Sequence, residues 1–202
     1  MAAPAKLDVT ILQGATFQYV FRWEALPFIY KDISAITKDA PVSITAATHG
    51  IPDGWRVAIS NVKGMKQINA LKTPPALSDF RKVTVVDPNT ITINEINSTD
   101  YTAYQSSGVL HYYTPVDLGG YTARMKIKRT VKDTASLVEL TTANAKIVLD
   151  NVAKTISLLI SATDTALLTF TSGVYDLELV SAGSVVTRLV EGNVTVSKEV
   201  TA

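Results

Sequence analysis

The chain has 202 residues, 47% of them apolar and 18% charged, with a formal net charge of +1 and no cysteine. Enough apolar surface is present to offset the ordering entropy, which excludes a disordered chain. Near-neutrality supplies no global field for a polyanion, and the absence of thiols excludes disulfides and thiolate chemistry.

The chain opens on MAAPAKLDV, without the charged-then-apolar pattern of a secretion signal. Leu7, Val9 and Ile11 then alternate with Asp8 and Thr10. After a Gln13-Gly14 turn, Phe17, Tyr19, Phe21 and Trp23 alternate with Gln18, Val20 and Arg22. Period two marks two half-buried strands. Residues 25–43 break the pattern. Pro27 and Pro41 punctuate them, and Ile29, Ile33 and Ile36 follow no clean period. They read as a connecting arm of the outer domain, with at most one short strand. Phe28, Ile29 and Tyr30 are then an exposed apolar segment, costly in a free monomer and natural in an assembly.

From residue 44 a second pattern sharpens. Pro52-Asp53-Gly54 turns into a strand carrying Val57 and Ile59, and a further turn passes through Gly64. The Pro74-Pro75 loop cannot continue a sheet. Val83 and Val85 face Ile91 and Ile93 across Asp87-Pro88-Asn89, where Pro88 presets a hairpin turn. Residues 109–113 make a closing strand. We expect a small barrel-like β domain over 44–114, inserted in a parent domain made of 1–43 and 115–202.

The parent resumes with Tyr121, Ala123, Met125 and Ile127 on one face and Thr122, Arg124, Lys126 and Lys128 on the other. Ile147 and Leu149 flank Val148, and Ile156, Leu158 and Ile160 repeat the alternation. SATDTALLTF, beginning at Ser161, predicts one or two helical turns capped by Ser161 or Thr163, with a strand as the alternative. Tyr175, Leu177 and Leu179 form the next strand. Ala182-Gly183 turns into residues 185–190, and Gly192-Asn193 is expected to turn again before Val194 and Val196. No apolar run is long enough for a bilayer; the longest covers residues 156–160. The fold expected is all-β, a discontinuous immunoglobulin-like β-sandwich carrying the inserted barrel. A soluble, non-secreted chain follows, with neither membrane nor nucleic acid as a partner.

Residues that could carry chemistry are few. His49 and His111 are the only histidines, and neither sits in an HxH or HExxH spacing, so a turn residue and a strand residue are expected rather than metal ligands. There is no G-x-S-x-G and no phosphate loop. Asp176 and Glu178 share a strand face and suit a salt-bridged surface better than an acid pair, which needs a cleft. Neither catalytic residues, a metal nor a cofactor is expected. Arg124, Lys126 and Lys128 make a basic stripe, open to reading as a solvated face, a docking surface or a phosphate contact; Asp176 and Glu178 are placed to pair with it across strands. Tyr101, Tyr104, Tyr112 and Tyr113 concentrate aromatic surface, of which Tyr112 and Tyr113 must point to opposite faces.

Two sets of motifs resemble structural proteins of tailed bacteriophages. HGIPDGWRVAISNVKGMKQINA, VTVVDPNTITINEINSTDYTAY and SSGVL look like a module of such proteins, similar in β fold to the first catalytic-cysteine half-domain of ubiquitin-activating enzymes. The chain has no cysteine, so ubiquitin chemistry itself is excluded. LQGATFQYVFRW, the run from Pro115 to Met125, YDLEL and RLVEGNVTVSKEVT resemble sandwiches of phage tail, baseplate and fibre-adaptor proteins. The resemblance implies a non-enzymatic virion component, assembled in the host cytoplasm. Its partners would be other tail or baseplate proteins and further copies of itself. The expected contact residues are Phe28, Ile29, Tyr30, Tyr112, Tyr113, Arg124, Lys126 and Lys128. A carbohydrate-binding receptor-recognition module is the alternative, and a head–tail connector or decoration protein a second one.

Overall fold

The computed structural model describes residues 3–200. The chain divides into two compact units, Met1–Trp23 with Asp117–Ala202, and Glu24–Val116. The outer unit opens with β1 (Ala5–Lys6), β2 (Val9–Leu12) and β3 (Phe17–Phe21). The inserted unit holds β4 (Glu24–Asp32), β5 (Ala35–Ile36), β6 (Val42–Thr45), β7 (Arg56–Ser60), β8 (Arg81–Lys82), β9 (Thr84–Asp87), β10 (Thr90–Ile93) and β11 (Val109–Pro115). The outer unit then continues with β12 (Thr122–Lys128), β13 (Val138–Thr141), β14 (Ile147–Asp150), β15 (Thr155–Ile160), helix α1 (Ala162–Ala166), β16 (Ser172–Val180) and β17 (Val186–Ser197).

The outer unit is the expected sandwich. One sheet runs β1–β17–β16–β12–β13, with β2 also on β17, and the other runs β14–β15–β3. Alternation supplies its core: Ile11, Met125, Ile127, Leu140, Ile156, Leu177 and Leu179 are all essentially sealed from solvent. The strand order is immunoglobulin-like. β12, β16 and β17 hold the places of strands C, F and G, and β3, β15 and β14 those of B, E and D. The inserted unit therefore interrupts the B–C connection. α1 forms where expected, with the Ser161 hydroxyl accepting from the Asp164 N–H at 3.1 Å as its N-cap.

One outer-unit expectation needs correction, and one strand is added. Gly192-Asn193 is not a turn; both lie inside β17, opposite Tyr175 and Val174 of β16. Glycine is needed there for a different reason, because a Cβ on Gly192 would sit 1.9 Å from the Leu7 carbonyl oxygen. Its absence lets β1 lie against β17, where Leu7 N–H also donates to the Glu191 carbonyl. β13, in SLVELT, has a weak alternation that sequence reading passed over; it pairs with β12 from Arg124 to Ile127.

The inserted unit is a closed barrel. Its sheets run β5–β6–β10–β9 and β4–β11–β7–β8, and the same two stretches of chain join them at both sides. β4 leaves β11 where Ile33 N–H donates to the Gly108 carbonyl, and Ser34 N–H already donates to Thr45 beside β6. β8 passes into β9 through Val83, which exchanges hydrogen bonds with Gly54 and Trp55 next to β7. The circuit β4/β5–β6–β10–β9/β8–β7–β11 closes on itself, all antiparallel. Away from these joins, among the described residues, β4 pairs only with β11 and β9 only with β10, so each keeps one open side. Its interior holds Val42, Ile44, Trp55, Val57, Ile59, Ile91, Ile93, Leu110 and Tyr112.

The connecting arm is thus corrected to barrel wall. Residues 24–32 pair with β11 along most of its length, from Val109↔Asp32 to Pro115↔Glu24, and residues 35–36 pair with β6. The prolines misled because Pro27 sits beside the register shift between Tyr113 and Thr114; at such an irregularity a missing N–H costs no ladder bond. The long connection from residue 94 to 108 is tied down by Ser98. Its hydroxyl receives Asp39 N–H at 3.0 Å and faces the Thr37 carbonyl at 2.9 Å.

Candidate functional site

The most unusual surface of the barrel is an aromatic patch on its outer wall. Strand alternation in β4 turns Ile29 to the interior and sends Phe28 and Tyr30 outward. Alternation in β11 does the same, burying Tyr112 and turning His111 and Tyr113 out. The register sets Phe28 opposite Tyr113 and Tyr30 opposite His111. The rings meet accordingly: Phe28–Tyr113 at 4.6 Å between centroids, Tyr30–His111 at 5.0 Å, Phe28–Tyr30 at 6.4 Å. Phe80, from the loop before β8, completes the cluster against Tyr113 at 5.4 Å and Phe28 at 6.0 Å. Tyr30 keeps 58% of its surface in solvent and the nearby Leu26 69%.

Polar groups frame this patch. Arg56 makes a two-point contact with Glu24, Nε to Oε1 at 3.1 Å and Nη2 to Oε2 at 2.6 Å. That hydrogen-bonded carboxylate raises the arginine's pKa further, against the opposing effect of burial. His111 Nε2 shares a short hydrogen bond with Ser60 Oγ, and burial lowers the pKa of the imidazole. A serine beside a histidine is half of a nucleophile pair. Among the described residues no carboxylate holds the other ring nitrogen, which the triad arrangement uses to orient its base.

Of the expected contact residues, Phe28, Tyr30 and Tyr113 come together here. Ile29 and Tyr112 do not, because both point into the core. Tyr112 is 1% exposed and its hydroxyl donates to the His49 carbonyl at 2.5 Å. It cannot serve as a surface platform. His49 is equally buried: its Nδ1 accepts from Ile51 N–H at 3.0 Å, which leaves Nε2–H to donate to the Asp87 carbonyl at 2.9 Å. Both nitrogens of His49 are spent on the backbone, and among the described residues no group of three or more His, Asp or Glu is arranged to hold a metal. Glu24, Arg56 and Phe80 were missed by sequence reading. The alternation of Arg56 with Val57 marks it as outward, but nothing in the Pro-rich loop announces that Phe80 folds back onto the wall.

Residues 39–113 match the family model of the ubiquitin-activating enzyme E1 FCCH domain. The chain has no match among curated proteins. The FCCH match begins after β4 and β5, so the wall strand carrying Phe28 and Tyr30 lies outside it, whereas β11 lies largely within. The barrel is thus FCCH-like in its inner circuit, and its aromatic patch combines a matched strand with an unmatched one.

The basic stripe lies on the outer sandwich. Arg124, Lys126 and Lys128 line an open groove of about 710 Å³ on the outer face of the six-stranded sheet, with Asp176, Glu178, Arg188 and Glu191. The cross-strand pairing expected for Arg124 is present, Nη2 to Glu178 at 2.8 Å. Lys126 turns instead to Glu139 of β13 at 3.3 Å, and Asp176 is held by Arg188 at 3.1 Å. Lys128 has no ion-pair partner among the described residues. Alternating columns of opposite charge neutralise one another, so a phosphate would have to displace carboxylates already in place. Each such exposed pair contributes about 0–1 kcal/mol.

Proposed function

We propose that the chain is a non-enzymatic structural protein of the virion of a tailed bacteriophage, a tail or baseplate component present in several copies and bridging its neighbours. The observation that carries this reading is the nested pair of β units with separate cores, the barrel presenting an aromatic patch on its outer wall with Tyr30 open to solvent. Such a unit presents side-chain surfaces on a rigid support. Many moderate contacts of this kind, summed over copies, hold an assembly that no single one would. The motif resemblance in both units supports the same assignment.

The test is co-expression with the products of adjacent genes, followed by purification through a tag on this chain. Stable recovery of one of them, weakened by Tyr30→Ala with Phe28→Ala, is the expected result. A chain that purifies alone against every product of its own gene cluster, and is missing from purified particles, contradicts the proposal.

The exposed ring of Tyr30 with His111 against it, and the Arg56–Glu24 pair further along the same wall, favour a second reading, carbohydrate recognition at the host surface. Aromatic faces with fixed polar groups at their rim suit the apolar face and hydroxyls of a sugar. Tyr30 and Tyr113 would carry it; Tyr112 would not. Glycan binding lost on Tyr30→Ala supports this reading, and no glycan bound by the native chain removes it.

A further inference from the structure

We infer that the free edge of β3 is a self-association surface, on which a second copy of this chain adds its own β3 in antiparallel pairing. β3 is bonded to β15 on one side from Phe17↔Ile160 to Phe21↔Ile156, and no strand among the described residues takes its other side. In sandwiches of this type strand A covers that position. Here both N-terminal strands, β1 and β2, pair with β17 instead. The two layers are unequal as a result, six strands against three.

Native proteins protect exposed edges with charges, prolines or bulges. The other edges of the sandwich have such guards. β13 carries Glu139 tied to Lys126, β14 ends in Asp150 and follows Lys146, and the β1–β2 edge is broken between Lys6 and Val9. β3 reads FQYVF, with no charge, proline or glycine. Tyr19 is 36% and Val20 48% exposed.

The occupant follows from the pattern of the strand. FQYVF is symmetric about Tyr19 in its aromatic positions. A two-fold axis through Tyr19 sets Phe17 against Phe21 of the second copy, Gln18 against Val20, and Tyr19 against itself. No like charges meet, and the next pair outward is Thr16 with Arg22. A two-fold contact uses the same patch on both copies, as self-complementarity requires. Joining the two sheets gives β14–β15–β3 continued by β3–β15–β14, one continuous six-stranded sheet across the two copies. This deepens the multi-copy role proposed above and rests on it for its use, yet it is tested separately.

The chain has no cysteine, so one introduced thiol reports cleanly. Directly opposed residues in antiparallel strands have Cα atoms about 4.5–5.5 Å apart, inside the disulfide range of roughly 4.4–6.8 Å. Under mild oxidation of the full-length chain, Tyr19→Cys is expected to cross-link at least about tenfold faster than Val148→Cys, which sits on the opposite edge strand of the same sheet. Mixed Gln18→Cys and Val20→Cys chains are expected to cross-link as heterodimers, a second readout if Tyr19→Cys folds poorly. Val20→Lys is expected to reduce the association seen by sedimentation velocity while keeping the native circular dichroism. If the native chain associates but position 19 shows no preference, or Val20→Lys leaves association intact, the β3 edge is overturned and the multi-copy role stands. If the native chain stays monomeric at about 100 μM and no cross-link forms, the β3 edge is overturned, and the multi-copy role is left to the co-expression and particle tests above.

Discussion

Replacing Tyr112 by phenylalanine removes one oxygen from the centre of the barrel. The ring is 1% exposed, and its hydroxyl is the donor to the His49 carbonyl, for which the described residues show no other. Its loss leaves that carbonyl buried and unpaired, costing about 1–3 kcal/mol. For a domain of 60–100 residues each kcal/mol moves the midpoint by roughly 4–8 °C, so the barrel should melt at least about 4 °C lower. Tyr112→Ala adds a cavity, and such truncations cost about 3–5 kcal/mol. The neighbour in sequence behaves differently. Tyr113→Ala removes ring contacts with Phe28 and Phe80 on the outer wall, worth about 0.5–1.5 kcal/mol each, and leaves no buried carbonyl orphaned. Differential scanning calorimetry, with amide exchange at residues 42–45 and 90–93 to identify the barrel's transition, gives the comparison. An unchanged midpoint for Tyr112→Phe, or a larger loss for Tyr113→Ala than for Tyr112→Ala, would refute the inward assignment of Tyr112 and the register of β11 with it.

Further outcomes follow from the same geometry. Gly192→Ala forces a Cβ into the Leu7 carbonyl and should cost about 1–3 kcal/mol, with β1 losing exchange protection first; unaltered protection at Leu7 would contradict the close approach. Arg124→Ala breaks the exposed pair with Glu178 and should cost only about 0.2–1 kcal/mol, less at high salt; a loss several times larger in chemical denaturation would show that the charged face is a structural network. Tyr175, 4% exposed with its hydroxyl donating to the Leu7 carbonyl at 2.8 Å, has its pKa raised to about 12, mainly by burial. Because the raised value belongs to the folded state, its stabilisation is complete below about pH 10 and falls as pH rises towards 12. Denaturation followed across that range should steepen with pH in the native chain and flatten in Tyr175→Phe; equal slopes would refute it.

The parts of the fold legible in the sequence are those where one face of a strand is buried and the other wet. Ala123, Met125 and Ile127 against Arg124 and Lys126, or Leu177 and Leu179 against Asp176 and Glu178, give period two directly, because side-chain direction is fixed by the pleat. The Asp87-Pro88-Asn89 hairpin and the Ser161 cap were legible for a similar reason, since their chemistry is local. The first barrel strand was not. Its partner, β11, lies some eighty residues further along the chain, Phe28 and Tyr30 put apolar rings on its outward side, and Pro27 breaks its pattern at a register shift. Gly192 looked like a turn because a glycine required by a distant carbonyl carries no mark of the neighbour that requires it. For the candidate site, that Tyr112 and Tyr113 point to opposite faces followed from alternation, but which of the two faced solvent depended on where the barrel's core lies. The pairing of Lys126 with Glu139 depended on β13, whose alternation is too short to announce itself.

The central claim, that this chain works by contact surfaces in a repeated assembly, is tested most directly by cryo-electron microscopy of particles assembled from the genome that encodes it. The account predicts density for both β units at a symmetry-related position in the tail or baseplate, with Tyr30 and Phe28 covered by a neighbouring chain. Particles that are complete without this chain, or copies whose barrel wall faces open solvent at every position, would contradict it.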